Sequence, residues 1–411
     1  MRNDPVYDET REWIAANWTG SLTLREWWRL MDAARLSFPA WPVEHHGRGA
    51  SKEELDAIGR AFADADVLGG PTGLGVLMGA PVVFTLGTSE QKARMIPPLA
   101  TGVEGWCQLF SEPGAGSDLA SASCRAERDG DEWVVNGQKV WTSGALHSTR
   151  GMLIARTDPD QPKHRGMTYF IIDIEQPGVE VRPIRQMNGK AHFNEVFFTD
   201  ARVHDASRIS EINNGWKVAA ATLAFERSGL SAGAGGGIRV SAGERAGLLD
   251  RPVAELVAEY LARHEPPDEH GGLSRVLRDL DRDMGPVARD TMTRLVMNER
   301  IAEMTALRIA STTAAGGSPG PEASTAKLWW TNGLRTSRDL GMELLGADGM
   351  LVGADTPGDG TVQHFFLTMP SASIAGGSDE IQRNIIGERA LGLPKDIQHD
   401  PSTPFRDIPR S

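Results

Sequence analysis

Between residues 104 and 211 apolar residues recur at every second position, whereas on either side they recur at every third or fourth. "GMTYFIIDI", "GVEVRPI" and "FNEVFFTDARV" carry the period of two, punctuated by Gly and Pro. Ahead of them "KEELDAIGRAFADADV" has Leu55, Ile58, Phe62 and Val67 on one helical face, with Ser51 placed to cap it. After them "GWKVAAATLAFERSGL", "ARDTMTRLVMNERIAEMTALRIAS", "ASTAKLWWTNGLRTSRDLGMELLGA" and "SDEIQRNIIGERALG" return to the helical period. The order α, β, α predicts helical layers flanking a small, mostly antiparallel, barrel-like β-module. The expected domains are a helical one over 1–103, a β-domain over 104–211 and a helical region over 212–411.

Local signals refine this reading. Asn136-Gly137, inside "DEWVVNGQKVWTSGA", predicts a hairpin turn between two short strands. Pro97 is expected to stop a short helix in "TSEQKARMIPPLATG". Residues 263–275 and 355–360 read as exposed loops, and adjacent His45 and His46 as a surface turn.

Composition excludes several classes. Two cysteines are too few for a disulfide framework, and the ten histidines show no ligand spacing, so no metal is expected. The net charge of −12 has no basic stripe within it, which argues against nucleic acid as a partner. No apolar run reaches the roughly 18 residues that cross a bilayer, and "MRNDPVYDETREWIAANW" reads as helix rather than signal peptide. No membrane partner is expected, and the cytoplasm is the default location. No G-x-G-x-x-G follows a strand; "SAGAGGG" at 231–237 falls inside helical sequence, so a nicotinamide site is not expected.

"LFSEPGAGSDLA", 109–120, concentrates turn residues and bare backbone amides between apolar stretches. On its own it is either a surface loop held by Glu-Pro and Gly turns or a cradle for an anion. It does not stand alone. "SEPGAGSD" (111–118), "NGQKVWTSGA" (136–145), "FNEVFFTDARV" (193–203), "NNGWKVA" (213–219) and "GGSDEIQRNIIGERALGLP" (376–394) succeed one another in an order and spacing that resemble the acyl-CoA dehydrogenase family over nearly the whole chain. The resemblance implies a helical N-domain, a central β-domain, a C-terminal four-helix bundle and FAD as cofactor.

It also implies roles for particular residues. Gln108, Phe110, Ser111, Gly116 and Ser117 would contact FAD, with Ser111 facing the isoalloxazine and Ser117 near phosphate or acyl-CoA. Trp141, Thr142 and Ser143 would form the second flavin element, the tryptophan packing on the ring and Ser143 approaching N5. Ser378, Asp379 and Glu380 open the last helix, a segment the family uses on FAD, and Glu343 and Gly346 resemble one that reaches FAD from a neighbouring subunit. Glu343 stands where the family usually has glutamine.

Many members carry the catalytic base as a glutamate just before the last motif, where this chain has Gly376. A second subgroup, with isovaleryl-type enzymes, carries it on the helix after the β-domain beside an arginine; here that pair is Glu226 and Arg227. Glu226 has Thr222, Leu223, Gly229 and Leu230 on its helix face and no cation at those positions, as a general base needs. The implied reaction is removal of the thioester's α-proton by Glu226 with transfer of the β-hydrogen to flavin N5, the electrons passing to an electron-transferring flavoprotein. Arg227 and Gly376 would lie beside the substrate.

One element is missing. The family's Arg-x-x-Phe-Gly, whose arginine contacts FAD across the dimer, has no match in 245–300, and Arg289 is only a fallback for it. In this the chain resembles heteromeric actinobacterial members acting on steroid-derived CoA esters. The expected assembly is a homo-oligomer or a heteromer with a related subunit. Alternatives are a subunit that shapes a partner's flavin site without turnover, or a flavin monooxygenase or oxidase of the same fold.

Overall fold

The structure, a computed structural model, describes residues 4–228, 237–262, 277, 280, 282–314, 320, 322–353, 356–395 and 400–409. Two compact units account for them: Met1–Gln186 with Ala191–Arg263 and His399–Ser411, and Met187–Lys190 with His264–Gln398.

The first unit opens with α1 (Pro5–Asn17), α2 (Leu24–Ala33) and α3 (Lys52–Ala63), capped by Asp4, Thr23 and Ser51. Thr23 and Ser51 form reciprocal boxes with Glu26 and Glu54, each satisfying orphan amides of a first turn. Strand β1 (Leu68–Thr72) comes next, and the buried indoles of Trp27 and Trp28 donate to Leu68 O at 2.8 Å and Gly69 O at 2.9 Å. Then come α4 (Ala80–Leu86) and α5 (Ser89–Ala100). Helix α5 runs through Pro97 and Pro98 rather than stopping at Pro97. Pro97 and Pro98 can donate no N–H to the carbonyls of Ala93 and Arg94, and both of those residues are exposed, on the side of the helix where water can take the donor's place.

The sheet contains β2 (Trp106–Leu109), β3 (Arg125–Asp129), β4 (Glu132–Ser143), β5 (Arg150–Arg156), β6 (Met167–Asp173), β7 (Val179–Ile184), β8 (Phe193–His204) and β9 (Arg208–Ile209). Its order is β7-β8-β4-β3-β5-β6-β9, with β2 parallel to β5. Both faces are covered: Met152, Ile154 and Tyr169 pack into one apolar cluster, Leu153, Phe170 and Val196 into another.

Asn136-Gly137 is not a hairpin turn. Strand β4 passes through it as a bulge, and the β3–β4 turn falls at Gly130 (φ 66°). Two local contacts explain this. Asn136 Nδ2 donates to Asp200 Oδ1 and Asp200 N to Asn136 Oδ1, both at 3.0 Å, and a Cβ on Gly137 would lie 2.8 Å from Cys124 Cα. The pair secures a strand partner instead of reversing the chain.

Helix α6 (Gly215–Ser228) packs on β6, and residues 229–236 lie outside the described residues. The stretch from Gly237 onward is strand rather than helix. Gly237 (φ 80°) turns the chain into β10 (Ile238–Ser241), which pairs in parallel with β1. Ile238 is β-branched, buried, and joins the cluster of Trp27, Trp28 and Phe62, so tertiary packing overrides the glycine-rich lead-in. Helix α7 (Val253–Ala262) closes the same cluster through Val253 and Leu256.

The second unit has α8 (Pro286–Ala314), α9 (Glu322–Leu345), α10 (Thr361–Thr368) and α11 (Asp379–Ile385) among its described residues. Met292 and Leu295 of α8 pack with Leu340 and Leu345 of α9 and Val362 of α10. Met297, Ile301 and Met304, one face of α8, stay exposed. The expected loop at 263–275 lies outside the described residues, and Pro357–Gly360 is a short 3₁₀ turn. Among the described residues no helix is long and apolar enough to cross a membrane.

Candidate active site

The glycine-rich loop leaves β2 with Gln108 half-buried and Phe110 buried, then folds into a tight turn in which Glu112 N donates to Ala115 O and Ala115 N to Glu112 O. Glu112 does not face solvent. Its carboxylate accepts from the Lys139 ammonium at 2.8 Å, from the amides of Ser123 at 2.7 Å and Cys124 at 2.9 Å, and from Ser123 Oγ. Burial pushes its proton affinity up, but the Lys139 charge and these hydrogen bonds outweigh burial and hold the carboxyl below its ordinary value. Lys139, fully buried in β4, also donates to Phe110 O at 2.9 Å.

Two more cations hold the loop's far end. Arg156 of β5, whose guanidinium lies 3.8 Å from the Phe405 ring centroid, donates to Ala120 O and Ala122 O; Lys163 pairs with Asp118 at 2.8 Å. The two stretches predicted to contact a cofactor, 108–117 and 141–143, are therefore one rigid assembly. Val140 N closes it by donating to Ser111 O at 2.9 Å. Sequence reasoning missed Glu112, Lys139 and Arg156. The available signal was a lysine and an arginine inside strands whose neighbours face the core.

The rim of this assembly is bare. Gly116, Ser117 and Ser143 are exposed. Gly114 and Gly116 have no left-handed backbone, and a Cβ on either would meet nothing within 4 Å. Neither the turn nor the packing of this chain requires glycine there. Open amides that a side chain would cover suit an anionic group such as a pyrophosphate. Trp141, 59 % exposed, sits at a bulge of β4 with φ 61°, its indole edge-on to Phe193 at 5.9 Å. A left-handed tryptophan is strained, and such strain collects at binding sites. Thr142 points inward, and its Oγ1 is buried without a hydrogen-bond partner among the described residues. Glycine rim, strained exposed indole and rim hydroxyls fit a flavin dinucleotide.

Glu226 and Arg227 stand in the last turn of α6; their side chains lie outside the described residues. One turn earlier Thr222, fully buried, donates to Val218 O at 2.8 Å and lies 3.3 Å from the hydroxyl of Tyr169. Tyr169 in β6 meets Phe110 edge-on at 5.9 Å. Burial pushes its phenol well above the ordinary tyrosine value, so it stays neutral.

The remaining predicted residues belong to the second unit. Arg289 is exposed and lies 3.9 Å from Asp283; Glu343 and Gly346 are exposed at the end of α9. Gly376 (φ 65°) and Gly377 (φ 86°) lead into Ser378, which caps α11, and Glu380 is exposed. Asp379 is turned inward. Lys327 Nζ, at 2.8 Å, Thr331 Oγ1, at 3.1 Å, and Arg335 all donate to its carboxylate. Burial works against its charge, and these donors outweigh burial and hold the carboxyl below its ordinary value.

Comparison with known proteins agrees with this layout. Residues 6–103, 107–201 and 284–391 match the N-terminal, middle and C-terminal domains of acyl-CoA dehydrogenases. The acyl-CoA dehydrogenase IpdE1 of Mycobacterium tuberculosis is 38% identical over 377 residues, 91% of this chain and 89% of the relative. Among solved structures, the ChsE4–ChsE5 complex of M. tuberculosis is similar, with a TM-score of 0.67 and 28% identity over 96% of this chain and 100% of that one. So is the Tcur3481–Tcur3483 steroid ACAD, with a TM-score of 0.67 and 25% identity over 95% of this chain and 97% of that one. With three domain matches in order and a relative 38% identical over 91% of the chain, the chain belongs to the acyl-CoA dehydrogenase family, the FAD-dependent oxidoreductases.

Proposed function

We propose that this chain is one subunit of an oligomer that oxidises the Cα–Cβ bond of an acyl-CoA thioester to a trans-2-enoyl-CoA, with Glu226 as base. The observation that carries the reading is Tyr169, which touches Phe110 of the glycine-rich loop and, through Thr222, the helix that bears Glu226. One buried side chain thus touches both the loop and the helix. Bound FAD supplies the two-electron acceptor. Ser111 and Ser143 offer hydroxyl donors at its rim, residues 114–117 offer amides, and Trp141 offers a flat face. In the second unit we assign Ser378 and Glu380 to FAD, with Asp379 fixing the turn that presents those two, and Arg289, Glu343 and Gly346 to the FAD of a neighbouring subunit. Glu226 takes the α-proton, which the thioester acidifies, and hydrogen bonds to the carbonyl oxygen stabilise the charge that develops there. An electron-transferring flavoprotein then reoxidises the site, in the cytoplasm.

Anaerobic addition of acyl-CoA should bleach the flavin. A flavin-bearing protein that none of straight, branched, aromatic and ring-bearing thioesters reduces would instead be a non-turning subunit or a fold-related oxidase.

The assembly we favour is a heteromer. The exposed Met297–Ile301–Met304 face of α8 offers an apolar contact, and ChsE4–ChsE5 and Tcur3481–Tcur3483 each carry two names. Without Arg-x-x-Phe-Gly a homo-oligomer lacks one cation on the pyrophosphate, a contact of about 1.5–3 kcal/mol. Purified alone, the protein should hold less than one flavin per chain, rising on co-expression with the unlike subunit. Light scattering and the flavin-to-protein absorbance ratio measure both; one tight FAD per chain in an active homo-oligomer rules the heteromer out.

Strain at Trp141 gives a second test. Trp141→Gly relieves a left-handed backbone that costs roughly 1–2 kcal/mol, against the loss of one edge-on contact to Phe193 worth about 0.5–1.5 kcal/mol. Its melting temperature should stay near wild type while flavin affinity falls. A large drop in melting temperature would make Trp141 a packing residue.

A further inference from the structure

Within the second unit, α9, α10 and the segment 369–376 line an open pocket of about 330 Å³. Trp330, Leu334, Phe365 and Met369 give it apolar walls. Ala375 and Gly376 line it too, and at Gly376 an added Cβ would meet nothing within 4 Å. A space of that size has room for a compact ring, and each Å² of apolar surface removed from water stabilises by roughly 25 cal/mol.

One wall is charged. Lys327, Thr331 and Arg335 succeed one another at four-residue intervals on α9 and all donate to Asp379. Two cations share one carboxylate, so the cluster carries a surplus positive charge. Lys327 also lines the cavity, and its side chain is 15% exposed. An ammonium has three N–H donors. Asp379 Oδ1 takes one at 2.8 Å and Ser373 O another at 3.4 Å; the third has no partner among the described residues.

We propose that the cavity receives a ring-bearing acyl group carrying a carboxylate, and that Lys327 is the residue that reads that carboxylate. The inference rests on the dehydrogenase reading above. It adds a specificity the apolar walls cannot supply, because a donor placed for a substrate oxygen discriminates against the analogue that lacks it.

The test uses octanoyl-CoA, 3-cyclohexylpropanoyl-CoA and 3-(4-carboxycyclohexyl)propanoyl-CoA on the flavin-loaded protein with an artificial electron acceptor. Calorimetric binding of the matching S-alkyl CoA thioethers, which cannot be dehydrogenated, runs alongside. Wild type should favour the carboxylated ring over the plain ring by at least about tenfold in kcat/KM and in binding. Lys327→Met should bring that ratio to about one, and Lys327→Arg should keep it. Ala375→Asp, which leaves the Lys327–Asp379 pair intact, puts a carboxylate in the wall and should reverse the ratio even if Lys327→Met does not fold. A wild-type ratio of one, or an unchanged ratio in Lys327→Met or Ala375→Asp, overturns the inference. If no thioester reduces the flavin, the dehydrogenase reading fails and the thioether ratio still decides the cavity. If all three are oxidised equally well, that reading stands and this inference falls.

Discussion

Glu226→Gln should leave the flavin bound and lower turnover by at least ~10²-fold, the usual contribution of a general base. The amide keeps the shape of the side chain but cannot take up the α-proton. Single-turnover flavin reduction is the measurement that isolates this step, because it excludes reoxidation and product release. The alternative position for a carboxylate, 376, is closed by the backbone as well as by the sequence. Gly376 has φ 65°, where any side chain costs roughly 1–2 kcal/mol. Moving the carboxylate there in a Glu226→Gln, Gly376→Glu variant should therefore restore little. A wild-type rate in Glu226→Gln assigns the base to another residue.

Lys139→Met should destabilise the first unit by about 3–5 kcal/mol, the cost of leaving the Glu112 carboxylate buried and unpaired. Lys139 is fully buried and Glu112 almost so, so water cannot replace the lost partner without opening the loop. The denaturant midpoint and the flavin content should fall together, since the same ammonium also holds Phe110 O. The double variant Lys139→Met, Glu112→Gln should recover much of the loss, because it removes both charges. Acid tests the same pair. In the fold the Glu112 carboxyl is held below its ordinary value, so its contribution is present above the unfolded carboxylate range and disappears as pH falls through the depressed folded value. The wild-type advantage over the double variant should shrink in that acid window. A single variant as stable as wild type would show that the pair is dispensable.

Much of this was legible in the residues. The strands "GMTYFIIDI", "GVEVRPI" and "FNEVFFTDARV" emerge where they are expected; "FNEVFFTDARV" alternates because one side faces a core, whereas "GMTYFIIDI" is buried on both faces. Ser51 caps its helix because a glutamate stands three residues after it. The misreadings share a cause. Asn136-Gly137 has the chemistry of a turn, yet Asp200 and the close approach of Cys124 recruit it into a strand. Pro97 breaks a helix in isolation, but Ala93, whose carbonyl it leaves without the usual donor, is an exposed residue. Ile238 leaves a helical context because a pairing strand lies far back in the chain. The turn and the strand depend on partners distant in sequence, and the helix through Pro97 on which side of it meets water; local propensity contains neither. The same holds at the site. The loop's turn chemistry was visible, but the cations that make it rigid come from β4, β5 and a later turn.

The pairing of β1 with β10 sets an order on the folding of the chain. Thr72 Oγ1 donates to Val240 O across 168 positions, and closing a loop of that length costs roughly 4.5 kcal/mol in chain entropy before any contact offsets it. During synthesis β1 exists long before its partner emerges, as an unpaired edge flanked by Trp27 and Trp28. Its sequence, "LGGPT", suits that wait: glycines weaken it as a template, and Pro71 removes an N–H that another strand would use. The strand is made poor at pairing so that it stays available for the one partner whose packing compensates, Ile238 and its strand. The helical layer at the N-terminus is thus begun first and finished late.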